Sequence, residues 1–304
     1  MSNILFIFPG QGSQSVGMSS CILSTDFGKK MFDITNNEVG YNLLDIITNG
    51  PEETLKETKH TQPAIFTLSM IIDQMLKDNN IYPIAVAGHS LGEYGALVSS
   101  EVISFKDAIK LIAIRSREMD KANNLNKGAM AAIINLSENV LNDILKKMPG
   151  TITIANYNSE GQLVISGDKE SVDCLSKEIK ENHKNSRCIR LNVSGAFHSP
   201  LMKFARVPLE KHINKLTFNN PKIPIYQNIS GGPTKDSMRI KENLILQLES
   251  PVKWVDTINN MIKHSKSNKF IECGPGRVLA GINRKISKDI ETLNVDTIER
   301  INNL

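Results

Sequence analysis

The apolar run Ile84-Ala85-Val86-Ala87 passes directly into Gly88-His89-Ser90-Leu91-Gly92, and a helical pattern follows at once. Strand, sharp turn and helix in that order constrain the fold more than any other feature. A strand followed by a helix returns to its sheet by a crossover, and crossovers build parallel sheets. The same grammar recurs at both ends of the chain. Ile4–Phe8 precedes the loop Pro9-Gly10-Gln11-Gly12-Ser13-Gln14, and Lys269–Glu272 precedes Gly274-Pro275-Gly276 and a helix over Val278–Ile286. Helical spacing of Ile65, Leu68, Ile71, Ile72, Met75 and Leu76 predicts a helix over Thr61–Lys77, with Pro63 in its first turn, where proline is tolerated. A further helix is predicted over Ser104–Asn124. The reading is an α/β fold with a mostly parallel sheet flanked by helices.

One segment reads differently. Ala129–Ile134, Thr151–Asn156, Leu163–Ser166 and Arg187–Val193 are predicted strands, with serine- and aspartate-capped helices over Ser137–Lys147 and Asp168–Glu181. The order is βαββαβ, the split pattern of a ferredoxin-like unit. A small domain over 127–194, inserted into a large catalytic domain made of 1–126 and 195–304, is therefore expected; 304 residues suffice for both.

Composition excludes several classes. Hydrophobic residues make up 40% and charged residues 22%, which rules out a disordered or fibrous chain. A net charge of +4 argues for no nucleic-acid partner. No apolar stretch approaches the ~20 residues of a membrane span. No basic leader or apolar signal core precedes the first strand, so a cytoplasmic location is expected. Cys21, Cys174, Cys188 and Cys273 form no C-x-x-C pair, so neither a metal nor disulfide staples are expected. The loop Gly10–Gln14 lacks the lysine and the spacing of a phosphate-binding loop.

The motif G-x-S-x-G between strand and helix suits acyl transfer. The turn lifts the Ser90 oxygen out of the sheet, and the glycines remove side chains that would clash. The N–H of Leu91, at the helix start, can face a developing oxyanion. A tight turn with a capping serine would show the same pattern. A serine hydroxyl needs a base. His60, His183, His212 and His264 stand in polar, lysine- or asparagine-rich surroundings and read as solvated; His89 should point away from its neighbour. His198 lies among small residues in Ser194-Gly195-Ala196-Phe197-His198-Ser199-Pro200, which makes it the candidate base. No acid sits in a large-domain turn between Ser90 and His198, so a backbone carbonyl or an amide would have to orient the imidazole, giving a Ser–His dyad.

Seven segments in order carry a resemblance. They are Phe8–Gln14, Thr61-Gln62-Pro63-Ala64, Gly88-His89-Ser90-Leu91-Gly92-Glu93, the arginine of Ile114-Arg115-Ser116-Arg117, Gly195-Ala196-Phe197-His198-Ser199, Gln247-Leu248 before Pro251-Val252, and Glu272-Cys273-Gly274-Pro275-Gly276. From about residue 3 to 290 the chain resembles the malonyl-CoA:acyl carrier protein transacylase family and the acyltransferase domains of polyketide and fatty-acid synthases. The resemblance implies a hydrolase-like domain with a ferredoxin-like insertion. It also implies that Ser90 carries the acyl group, that His198 is general base and acid, and that the Gln247 carbonyl orients His198. Gln11 and Leu91 N–H groups would form the oxyanion hole, Arg115 would pair with the malonyl carboxylate, and Gln62 and Phe197 would line the pocket.

Chemistry supports the arginine. Malonate differs from acetate by one carboxylate, which a guanidinium binds through two parallel hydrogen bonds. An uncharged acyl group would leave a buried arginine unpaired, at a cost of about 3–5 kcal/mol. Arg117 lies about 200° around the helix from Arg115, so one pocket takes only one of them. The implied substrate is malonyl-CoA, without cofactor or metal. The implied partner is an acidic acyl carrier protein, docking on the basic segment Lys203–Lys241, and the chain is expected to act as a monomer away from membranes. That segment holds Lys203, Arg206, Lys211, Lys215, Lys222, Lys235, Arg239 and Lys241 against Glu210 and Asp236. A polyketide-type acyltransferase and a serine thioesterase or esterase are the alternatives.

Overall fold

The structure, a computed structural model, describes residues 3–193 and 195–304. The outer bounds expected at residues 1 and 194 lie outside the described residues. Strand β1 (Leu5–Phe8) is buried on both faces and leads into the helices α1 (Ser20–Leu23), α2 (Asp26–Val39), α3 (Leu43–Asn49), α4 (Glu52–Lys56) and α5 (Thr58–Asp78). Strand β2 (Ala85–Gly88) follows, then α6 (Gly92–Ser99) and α7 (Phe105–Leu125), which Ser104 caps by accepting the Asp107 N–H.

Next come β3 (Gly128–Ile134), α8 (Glu138–Leu145), β4 (Ile152–Ser159), β5 (Gln162–Asp168), α9 (Lys169–Asn182) and β6 (Arg187–Arg190). The chain ends with α10 (Lys203–Ile213), β7 (Ile225–Tyr226), β8 (Pro233–Thr234), α11 (Ser237–Leu246), α12 (Trp254–Ser265), β9 (Lys269–Glu272), α13 (Val278–Ile286), β10 (Glu291–Asn294) and α14 (Ile298–Asn302).

The larger sheet has the order β10-β9-β1-β2-β7-β8. All its pairs are parallel except β7 with β8. The architecture is the expected α/β class. Its central strands β9, β1 and β2 run side by side, so the loops at their carboxyl ends lie together. In an open parallel sheet that is where ligands bind. The smaller sheet is antiparallel, with the order β4-β5-β3-β6, the ferredoxin-like arrangement. One of its faces (Ala129, Ala131, Ile133, Ile154, Leu163, Ile165) forms its own core with Leu141, Val172, Leu175 and Ile179 of α8 and α9. From the other face Met130, Ala155 and Val164 join the core of the large sheet. Val252 joins it to the large unit: its N–H donates to Ala155 O and its carbonyl accepts from the Tyr157 N–H.

Local departures from the expected elements have physical causes. Helix α5 begins at Thr58, not Thr61, so Pro63 sits in its interior. Proline has no N–H to give the carbonyl four residues back. That carbonyl, Lys59 O, instead accepts from the Tyr41 hydroxyl at 2.6 Å. His60 is not solvated as expected: it is 8% exposed, its ring edge-on to Tyr41, and burial lowers its pKa. Ser137 stands at the start of α8 but makes no side-chain cap. Strand β6 ends at Arg190 rather than Val193, while β4 and β5 run to Ser159 and Asp168.

Candidate active site

The turn after β2 is held by close approach. A Cβ on Gly88 would fall 1.9 Å from the Gly92 carbonyl carbon, and one on Gly92 would fall 2.0 Å from Phe8 O. Only glycine fits at either position. Between them Ser90 takes φ 52°, in the left-handed region that costs a serine about 1–3 kcal/mol. His198 is held at φ 56°. Two non-glycine residues in that region, facing one another, mark a site the surrounding structure over-determines.

Ser90 Oγ lies 2.7 Å from His198 Nε2, although 108 residues separate them. His198 Nδ1 is 3.0 Å from both Gln247 O and Ser250 O. Two carbonyl acceptors fix the proton on Nδ1, leaving the Nε2 lone pair toward the serine. Among the described residues no carboxylate takes part in orienting the ring; Ser250 O joins Gln247 O there. His198 is 3% exposed, and its pKa is pushed down to about 3, first by burial and then by the charge of Arg115. At neutral pH the imidazole is an uncharged acceptor.

Arg115 projects from α7 into the same space and is 1% exposed. Its Nη1 donates to Gln62 Oε1 at 2.7 Å, and its Nη2 to Ser90 Oγ at 3.2 Å and Gln247 Oε1 at 3.3 Å. Its Nε has no hydrogen-bond partner among the described residues. The guanidinium carbon sits 5.7 Å from the Tyr94 ring centre. Burial lowers the Arg115 pKa, opposed by Tyr94 and Glu93. Arg117, by contrast, is exposed and turns back to Ala113 O.

These residues line a cavity of about 180 Å³. Gln11, Gln62, Leu91, Arg115, Phe197 and His198 all border it with Ser90. Among the described residues, neither the Gln11 nor the Leu91 N–H donates to a protein acceptor. Gln247, expected only as a carbonyl, also donates from Nε2 to Ser90 O at 3.0 Å.

Sequence reasoning missed the residues the small sheet contributes: Met130, Asn156, Asn158 and Val164 also line the cavity. His89 Nε2 lies 3.0 Å from Asn158 Oδ1, with its ring edge-on to Trp254, which turns it off the serine as expected. Alternation along β4 would have pointed to Asn156 and Asn158 on one face. No cluster that could hold a metal ion occurs among the described residues. Of the basic segment, Arg206 is paired with Glu210 and Glu249, Lys222 with Glu101, and Arg239 with Glu242. Lys241 is spent on the carbonyls of Asn214 and Leu216. Lys203, Lys211, Lys215 and Lys235 are exposed and stand outside these ion pairs.

An α/β fold with a mostly parallel and an antiparallel sheet, and a serine in contact with both an uncharged histidine and a buried arginine, suits the class of acyl-transferring enzymes. The comparisons agree. The profile of the acyl transferase domain matches residues 5–299. A malonyl CoA-acyl carrier protein transacylase of Bacillus subtilis is 38% identical over 305 residues, covering 99% of this chain and 96% of its own. The crystal structure of an acyl carrier protein S-malonyltransferase from Vibrio cholerae superposes with a TM-score of 0.93 at 36% identity, covering 99% of both chains. A malonyl-transacylase solved in complex with a type II polyketide acyl-carrier protein gives a TM-score of 0.93 at 33% identity, covering 99% of this chain and 98% of its own. The chain is an acyltransferase and belongs to the malonyl-CoA:acyl carrier protein transacylase family.

Proposed function

We propose that the protein moves a malonyl group from malonyl-CoA to the phosphopantetheine thiol of an acyl carrier protein, for fatty-acid synthesis, by way of an ester on Ser90. The observation that carries this reading is the convergence on Ser90 Oγ of His198 Nε2 at 2.7 Å and Arg115 Nη2 at 3.2 Å. His198 accepts the hydroxyl proton as Oγ attacks the thioester carbonyl. The C–S bond breaks, the coenzyme A sulfur leaves with the proton from His198, and a malonyl ester remains. In the second half His198 accepts the proton of the carrier thiol, the sulfur attacks the ester carbonyl, and Ser90 Oγ recovers the proton as the C–O bond breaks. The unengaged N–H groups of Leu91 and Gln11 are the donors for the charge that develops on the carbonyl oxygen in each half.

Arg115 selects the cargo. Its hydrogen-bond acceptors in the resting protein are the neutral oxygens of Gln62, Gln247 and Ser90. A malonyl carboxylate supplies a charged acceptor directly on the guanidinium, and an acetyl group does not. The same carboxylate offsets the positive field that lowers His198, so the cargo that fits also makes the base stronger. Phe197 and Met119 close the apolar side of the chamber. The partner reading draws on the carrier-protein complex of the polyketide relative and on the exposed lysines of 203–241. We place the small unit at 127–194 as a separate domain over the chamber.

Mass spectrometry after exposure to equimolar malonyl-CoA and acetyl-CoA tests this. A malonyl adduct on Ser90 that passes to added carrier protein is expected. An acetyl adduct alone, or release of free malonate in place of transfer, would overturn it.

A further inference from the structure

A fully buried carboxylate, Glu93, stands one turn beyond the serine on α6, where its charge also acts on Arg115. Its two oxygens accept from the Asn228 N–H at 2.8 Å and from Gln227 Nε2 at 3.1 Å. Asn228 follows β7, the strand next to β2, and is 1% exposed. Its side chain reaches across to the turn that carries the nucleophile. Oδ1 accepts the Ser90 N–H at 2.7 Å, and Nδ2 donates to Gly88 O at 2.6 Å. One amide thus satisfies a donor and an acceptor on either side of His89, in the turn where Ser90 sits at positive φ. Behind it, Asn243 Nδ2 donates to Gln227 Oε1 at 2.9 Å, so the brace is continuous with α11.

From this geometry we infer that Asn228, anchored by Glu93, is a positioning residue for the transfer reaction. It locks the strained turn in the one conformation that aims Ser90 Oγ at His198 and leaves the Leu91 N–H facing the chamber. The chemistry is specific to an amide. The position must accept from one backbone group and donate to another 2 residues away, which neither aspartate nor leucine does. Without it, a buried N–H and a buried carbonyl of the turn lose their partners together. The turn relaxes toward negative φ, and the hydroxyl moves off the imidazole and the oxyanion donors. Glu93 has a separate task. It must be acceptor-only toward two donors, and Glu93→Gln would turn an N–H toward the Asn228 N–H. The inference rests on Ser90 being the nucleophile, as proposed above.

The test measures kcat and KM for malonyl-CoA, together with the rate at which a sulfonyl fluoride modifies Ser90, in Asn228→Leu, Asn228→Asp, Glu93→Gln and Ser90→Ala. Folded fractions are matched by circular dichroism. Asn228→Leu is expected to lower kcat about 100-fold with KM within threefold, and to slow sulfonylation in parallel, because both need the same turn. Asn228→Asp, which keeps the acceptor for Ser90 N–H, should recover about tenfold of that loss. If Asn228→Leu does not fold, Asn228→Asp and Glu93→Gln carry the test, each with a kcat at least fivefold below native at unchanged KM. Folded variants with native kcat and native sulfonylation would overturn the inference, as would a loss confined to melting temperature. Full activity in Ser90→Ala would instead overturn the proposed function, so the two failures are distinguishable.

Discussion

The two sheets meet at one chamber and contribute to it in opposite ways. The central strands β1 and β2 of the parallel sheet are buried along their whole length, and β2 ends in a turn no side chain can loosen: Gly88 and Gly92 have no room for a Cβ, and Ser90 is held at positive φ. The antiparallel sheet has one face on its own helices and lends the other to the chamber as Met130, Asn156, Asn158 and Val164. Strain persists where burial on all sides can hold it. A wall made of alternating side chains can change one residue at a time without disturbing the backbone. On the proposed reading, the first sheet carries the turn of Ser90 and the second shapes the chamber wall.

The largest effect that could break this comparison is at Ser90. Ser90→Ala should lower transfer by on the order of 10⁴-fold or more and abolish the acyl-enzyme in mass spectra. Next is Arg115→Ala, expected to lower malonyl transfer by about 10²–10⁴-fold, the equivalent of about 3–5 kcal/mol. Acetyl transfer should fall far less, which competition between the two thioesters would read.

A smaller effect comes with pH. The His198 pKa is lowered to about 3 in the folded chain from 6.5. The folded chain therefore keeps an uncharged base as pH falls below 6.5, and acylation by malonyl-CoA should hold nearly level from pH 8 to about 5. Stability shows the other side of this. Between pH 6.5 and 3 the unfolded histidine binds a proton that the folded one refuses. His198 therefore destabilises the fold progressively over that range and contributes nothing above it. In denaturant titrations native protein should lose more stability than His198→Gln as the pH falls through that range.

On the second sheet, Val164→Ala and Asn158→Ala should change KM by several-fold with kcat within threefold, read by steady-state kinetics. Equal losses of kcat there and at Asn228 would erase the distinction between the sheets. The smallest effect is expected at the exposed lysines. Lys211→Glu with Lys215→Glu should slow transfer to carrier protein a few-fold at low salt and hardly at all at high salt, since surface charge acts mainly on association.

What was legible in the sequence follows the same division. The serine turn could be read because its geometry is coded by five consecutive residues. His198 could be read because small residues surround it in the chain. Arg115 stood out only through its resemblance context, since spacing alone separates it from Arg117 by helix face and not by environment. Asn228 gave no sign, because its meaning lies in a contact with Ser90 across 138 positions, and an amide after a two-residue strand looks like any turn. His60 reads as solvated for the same reason: Tyr41, whose ring packs edge-on against it and whose hydroxyl donates to Lys59 O, lies outside its helix. The pairing of the basic segment could not be read from composition, because Glu249 and Glu101, which pair with Arg206 and Lys222, lie outside it.

The glycine-locked bend also sets where new acyl preferences can evolve. Any exchange at 88 or 92 collides with backbone, so variation there is closed off whatever cargo is selected for. Positions 62, 115, 130, 164 and 197 border the chamber with side chains rather than backbone, and a lineage or an engineer seeking bulkier or uncharged cargo must work through them while Ser90 and His198 stay as they are.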